Sequence, residues 1–322
     1  MERTDEVTPA RSPVSGSAPG RGPGPGRGRG PDTGRGHPRW GRAAALTTLA
    51  GTSQYTGAAA AVQLFSIVAP TAVAWLRLVV AAVVMNAWRR PSLRIPAARL
   101  RVAIAYGLAT GGMNCALYEA IDRIPLGAAT SIEFCGPILV GLWFSRGRWD
   151  VLAVALAGAG VLVIAQGLHA EQLTGVALAA TAAAFYAMKI ILTGRIARSD
   201  DNLDDLAIAF TAVSIALAPM LLWRTGPIWT SPSAIGLVIA TGLLSALIPY
   251  LLDQFTVRIA GPGGLAVLVA ILPGSATVVG AIALGQRPTA GEGVGIVLIT
   301  LAVALRGRAR REFQQCGTSD CE

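Results

Sequence analysis

Three ionisable side chains, Arg77, Glu133 and Lys189, stand in stretches of sequence that are otherwise apolar. In hydrocarbon each charge costs on the order of 3 kcal/mol or more, so such residues face a cavity or one another and mark binding or proton handling. Glu133 has the most informative neighbours. In "TSIEFCGPILVG", residues 130–141, Thr130 lies three positions before it, and Gly136 and Pro137 lie three and four after, all on one helical face. Pro137 has no amide hydrogen to offer the carbonyl of Glu133, so a carbonyl and a carboxyl are left at one level. An ammonium group or a proton can use both. Such a carboxyl can carry a proton on one stroke and hold a cationic group on the other, which is the chemistry of proton-coupled exchange. Gly107, Gly111, Asn114 and Tyr118 recur at helical spacing as a second small and polar face, and "TSQYTG" puts Gln54 near the middle of the first apolar segment. These residues predict a polar cavity lined by the first, third and fourth apolar segments. The same groups also have a structural reading: Glu133 in a fixed buried pair with Arg77 or Lys189, Lys189 snorkelling to water, Asn114 and Gln54 bridging helices. Asp253 ends its apolar segment, where its carboxyl can reach water, and is set aside on that ground.

The elements that hold these residues follow from composition. The 322-residue chain is 53% hydrophobic and 14% charged, with a mean hydropathy of +0.55, whereas a soluble chain carries roughly 25% charged residues. Apolar runs about 20 residues long, separated by short basic clusters, predict an all-α polytopic membrane protein. Ten transmembrane helices are expected, near 43–64, 70–88, 102–120, 126–145, 149–167, 173–193, 204–223, 233–252, 263–284 and 290–306. Lys and Arg between these segments divide twenty-two against three when alternate connections are compared, the minority being Arg123, Arg224 and Arg287. That bias predicts ten spans with both termini cytoplasmic, in the cell (inner) membrane. It also accounts for the net charge of +9 without nucleic acid as a partner.

"ALYEAIDRIPLGAATSIEFCGP" can be laid over "YLLDQFTVRIAGPGGLAVLVAILP", with Arg123 on Arg258, Glu119 on Gln254 and Pro137 on Pro273. The match joins the third span to the eighth and the fourth to the ninth. Each half then has five spans, so the two halves insert in opposite orientation, the architecture of alternating-access carriers. The expected organisation is a disordered Gly/Pro/Arg-rich cytoplasmic tail at 1–42, a first repeat at 43–168, a second at 173–306 and a cytoplasmic tail at 307–322. Cys115 and Cys135 read as small apolar residues, and Cys316 and Cys321 do not complete a metal site, so no metal or cofactor is expected.

"SQYTGAAAAVQLF", "AVAWLRLVVAAVV", "GGMNCALYEAIDRIPLGAATSIEFCGPILVGLW" and "LIPYLLDQFTVRIAG" resemble the EamA branch of the drug/metabolite transporter superfamily, and among its members the threonine/homoserine exporters. The resemblance spans about residues 43–306. It implies two EamA repeats, a central site and proton-coupled export of amino acids or similar metabolites, with Arg77, Asn114, Glu133, Gly136 and Pro137 matching the family's pattern. Leu272-Pro273 stands where these exporters commonly have Glu-Pro, Gly285-Gln286 where they have Gly-Glu, and Lys189 where an uncharged residue is usual.

The reading that follows is a secondary exporter whose partners are a small-molecule substrate, protons and membrane lipid. Its site residues are Glu133, Arg77, Asn114, Gln54, Tyr118, Lys189, Thr130 and Pro137. A multidrug or nucleotide-sugar carrier of the same superfamily is the alternative, and a non-transporting scaffold stands behind it. An enzyme is not expected, because His37 and His169 lie outside the spans and no nucleophile–base pair is present.

Overall fold

The structure is a computed structural model, and it describes residues 37–91, 96–144, 148–166, 169–196, 202–253, 255–256, 259 and 268–319. Among these residues the regular structure is all helix, with no strand. In chain order the elements are α1 (His37–Val62), α2 (Pro70–Arg89), α3 (Ala97–Ile121), α4 (Leu126–Glu133), α5 (Cys135–Phe144), α6 (Arg148–Ala165), α7 (Ala170–Ile196) and α8 (Asn202–Leu221). They continue with a 3-10 stretch (Leu222–Thr230), α9 (Pro232–Asp253), a 3-10 turn (Val269–Ile271), α10 (Leu272–Ala283) and α11 (Ala290–Ser319). With α4 and α5 taken as one broken segment, every one of the ten expected spans has its helix. By length and composition, four helices suffice to cross a membrane: Pro70–Arg89, Ala170–Leu192, Leu203–Thr230 and Pro232–Asp253. Leu126–Val140, Val151–Ala165, Leu272–Ala283 and Ala290–Leu305 are shorter apolar helices.

Two boundaries differ from expectation. Helix α1 is already helical at His37, the first described residue, inside the segment assigned to a disordered tail. Helix α11 runs through the expected C-terminal tail as far as Ser319. Residues 1–36 and the repeat markers Gln254 and Arg258 lie outside the described residues.

Local sequence sets most of the ends. Pro70 opens α2, Ser231 caps α9 by accepting from the Ala234 amide, and Arg90 ends α2 in the left-handed region at φ 47°. Large apolar side chains such as Leu162, Ile215, Val278 and Ile282 are left exposed on the outer faces. A bundle whose surface is apolar suits a hydrocarbon solvent, where backbone groups must be satisfied within the helices.

Helix packing brings the ionisable groups together. α3 packs against α7 and α8, α2 against α8, α1 against α10, and α4 and α5 against α7. Gly136 permits the last of these approaches, since a Cβ there would stand 2.3 Å from the Ala183 carbonyl oxygen. Gly136→Ala is therefore expected to lower stability by about 1–3 kcal/mol through overpacking. A thermal melt in detergent checks this against Gly158→Ala, where a Cβ meets nothing within 4 Å and no loss is expected. Two ion pairs tie the start of α8 to its neighbours: Arg89 Nε to Asp204 at 2.8 Å and Arg99 Nε to Asp205 at 2.6 Å. Both carboxylates sit in the first turn of α8, where the helix dipole favours them.

Candidate functional site

The chemistry expected of Glu133 depends on a break in the helix, and the break is present. α4 ends at Glu133 and α5 begins at Cys135, with the Phe134 amide reaching back to the Thr130 carbonyl at 3.1 Å. The missing N–H of Pro137 accounts for the interruption. Glu133 is only 3% exposed and lines a cavity of about 120 Å³. Its neighbours there come from both halves of the chain. Gln54 and Tyr55 belong to α1, Arg77 to α2, Asn114 and Tyr118 to α3, Tyr186 and Lys189 to α7, and Ser245, Tyr250 and Asp253 to α9.

Two groups of polar contacts divide the cavity. Around Arg77, which is 5% exposed, Nη1 donates to the Tyr118 hydroxyl and to Ser245 Oγ at 3.1 Å, and Nη2 donates to Asn114 Oδ1. Asn114 is fixed in turn by donating to the Thr110 carbonyl at 2.7 Å. The guanidinium also lies 4.7 Å from the Tyr118 ring centroid. All three hydrogen-bond partners are neutral, and among the described residues Arg77 makes no ion pair with a carboxylate. Its Nε is buried without a hydrogen-bond partner among the described residues. Around Lys189, Nζ donates to the Tyr250 hydroxyl at 2.7 Å and lies 4.7, 5.5 and 5.9 Å from the ring centroids of Tyr250, Tyr186 and Tyr106. Three aromatic faces at these distances hold an ammonium by cation–π attraction. Glu133 feels the charges of both Lys189 and Arg77. The cavity thus holds two cations and two carboxyl groups.

Ser245 reaches Arg77 through an unusual turn of α9. Leu243–Leu247 is π-helical, a geometry that leaves helix carbonyls unmatched and recurs at functional sites. Ser53 Oγ of α1 donates to the Leu244 carbonyl at 2.8 Å and so satisfies one of them. Gly57, one turn further along α1, allows the approach, since a Cβ there would lie 2.8 Å from the Ser245 amide nitrogen.

Comparison with known proteins adds to this geometry. Residues 173–307 match the EamA-like transporter family. The threonine/homoserine exporter RhtA of Salmonella typhimurium (strain LT2) is 32% identical over 260 residues, covering 80% of this chain and 87% of the relative. The threonine/homoserine exporter RhtA of Escherichia coli (strain K12) is 32% identical over 237 residues, or 72% and 80% of the two chains. The chain belongs to the EamA-like transporter family. It is a multi-pass membrane protein of a transporter family, and the relatives it matches are exporters rather than enzymes. A solved structure, described only as the crystal structure of a protein, superposes with a TM-score of 0.57 at 19% identity, covering 82% of this chain and 96% of that one. It supports the fold alone.

In this EamA-like chain seven of the eight sequence-derived residues line one cavity: Gln54, Arg77, Asn114, Tyr118, Thr130, Glu133 and Lys189. Thr130 has no hydroxyl hydrogen to spare, because its Oγ1 donates to the Leu126 carbonyl at 2.8 Å, and its oxygen can only accept. Pro137 is half-buried outside the lining and acts only through the helix break. The cavity is wider than the expected α1, α3 and α4 faces, since α2, α7 and α9 complete it. Asp253, expected to reach water, is half-buried and also stands in the cavity wall beside Tyr250, so it joins the candidate residues. Tyr55 was also missed, and its buried hydroxyl has no hydrogen-bond partner among the described residues.

Proposed function

We propose that this EamA-like protein is a secondary active transporter that exports amino acids or close analogues, exchanging them for protons by alternating access across the cytoplasmic membrane. The observation that carries the reading is the division of charge within one buried cavity. Arg77 is held by neutral groups alone, while Glu133 and Asp253 stand in the same cavity with one ammonium, Lys189. A zwitterion complements that division, its carboxylate toward Arg77 and its ammonium toward Glu133. When the site is empty, a proton can neutralise Glu133 in place of the ammonium. Substrate and proton then exclude each other, and exchange follows from competition for one carboxylate.

Size supports the same reading. Drug-sized ligands occupy pockets of roughly 300–1,000 Å³, so a cavity of about 120 Å³ favours an amino acid over the substrates of a multidrug or nucleotide-sugar carrier. The repeat reading gains support from two prolines. Pro137 and Pro273, aligned by sequence, both fall in the first turn of a helix that follows an interruption, at α5 and at α10. The names of the relatives make threonine and homoserine the first solutes to try. Vesicles holding the purified chain and preloaded with labelled threonine or homoserine are expected to release label faster when the outside is acidified, and an uncoupler should abolish the effect. If no amino acid moves in response to the gradient, the proposal is wrong.

A further inference from the structure

We infer that Asp253 is a second coupling carboxylate, supplied by α9, and that Lys189 is a resident counter-ion which it shares with Glu133. This inference rests on the exchange reading above and adds a residue to its machinery. Asp253 and Tyr250 are three residues apart and so lie on one face of the helix, and both line the cavity. The Tyr250 hydroxyl that receives the Lys189 ammonium at 2.7 Å therefore draws that ammonium toward the Asp253 side. Lys189 acts electrostatically on Asp253 and on Glu133 alike.

Of the two cations in the cavity, Arg77 is held by neutral groups and makes no ion pair among the described residues. With Arg77 kept for the substrate carboxylate, Lys189 alone serves two carboxylates, and one of them is left to be balanced. An unbalanced charge is costly in a low dielectric, so a proton or a substrate ammonium must supply the balance. With the site empty, the proton does so. When a substrate ammonium reaches Glu133, Lys189 serves Asp253 alone, and the bound proton leaves for water. One positive charge enters as one proton departs. Asp253 is also suited to the aqueous side of this exchange, since it is half-buried whereas Glu133 is buried. Tyr186 from α7, Tyr55 from α1 and Tyr250 on α9 itself line the same cavity as Asp253, and these three and Tyr106 from α3 feel its charge. Among them Tyr55 keeps an unpartnered hydroxyl in the cavity wall, a donor available to a bound solute or a relaying water.

The test measures two fluxes from the same vesicles of full-length protein: threonine efflux driven by a pH gradient, and threonine–threonine exchange at equal pH. In Asp253→Asn the ratio of driven efflux to exchange is expected to fall about tenfold or more, and Asp253→Glu should restore it to within about threefold of wild type. A residue that only supports the fold would lower both fluxes together, so an unchanged ratio overturns the inference. The wild type supplies a second test that needs no variant. A hydrophobic carbodiimide, which attacks protonated carboxyls in apolar sites, should label Glu133 and Asp253, and threonine should protect both. Labelling of Glu133 without Asp253 also overturns it. Absence of threonine exchange in the wild type would instead remove the transport reading beneath it.

Discussion

Replacing Glu133 by glutamine is expected to cut gradient-driven efflux about 100-fold and to make the remainder independent of pH. The amide has the shape of the carboxyl, so α4 still ends where Pro137 interrupts it, and the cavity wall keeps its form. The charge is what is lost. A hydrogen bond to a charged group is worth roughly 1.5–3 kcal/mol against 0.5–1.5 for a neutral one, and truncating one partner of a buried charged contact costs about 2–5 kcal/mol. At 1.4 kcal/mol per tenfold, about 100-fold corresponds to about 2.8 kcal/mol, in the lower half of that range. An amide also takes up no proton near neutral pH, so acidifying the outside no longer accelerates release. Glu133→Asp, which keeps the titrating group but withdraws it by one methylene, should fall between the two with its pH dependence retained. Efflux measured at several external pH values separates the three proteins. A fixed structural pair predicts something else: Glu133→Gln would lower the melting temperature and leave the pH dependence of transport as it was.

Much of this site could be read from the sequence, because a charge in an apolar segment is conspicuous wherever it folds. Glu133, Arg77 and Lys189 stood out for that reason, and Asn114 and Gln54 because amides are scarce in such segments. The helix break was equally legible, since the missing N–H of Pro137 is a local fact. What could not be read is how the second half meets the first. Ser245 looks like an ordinary small residue until the π-helical turn at Leu243–Leu247 aims it at Arg77, and that turn leans on Ser53 and Gly57 from a helix nearly 200 residues away. Asp253 is half-buried, in keeping with its place at the end of an apolar segment, but position along one helix fixes depth and not what packs beside it, so its place in the cavity wall is not legible. The tyrosines were missed because they are unremarkable in apolar sequence: Tyr186 and Tyr250 acquire meaning only around the Lys189 ammonium, and Tyr55 only in the cavity wall. Pro137 shows the reverse error: its effect on the backbone was foreseen, but not that its ring lies outside the cavity.

Arg77→Lys is expected to raise the KM for threonine about 30-fold, and Arg77→Ala to abolish saturable transport. A guanidinium has five N–H donors. Three are spent on Tyr118, Ser245 and Asn114, which leaves Nε–H and one N–H of Nη2. Nε is buried and unpartnered, a state that costs about 1–3 kcal/mol until an oxygen satisfies it. A substrate carboxylate can accept from two such donors at once, the bidentate geometry that makes Arg–carboxylate contacts strong. Lysine keeps the charge but has three donors around one nitrogen, so it cannot hold Asn114, Tyr118 and Ser245 and still offer a fork. The loss of about 2 kcal/mol implied by one charge-assisted bond corresponds to the 30-fold figure. Alanine also strands the Asn114 and Tyr118 oxygens in a buried wall. Threoninol, which has the ammonium and the side chain but no carboxylate, separates recognition from folding. It should compete poorly with threonine in the wild type, and the preference for threonine over threoninol should shrink in Arg77→Lys. If the wild type accepts threoninol as readily as threonine, Arg77 does not receive the carboxylate, and the orientation proposed for the substrate must be reversed or abandoned.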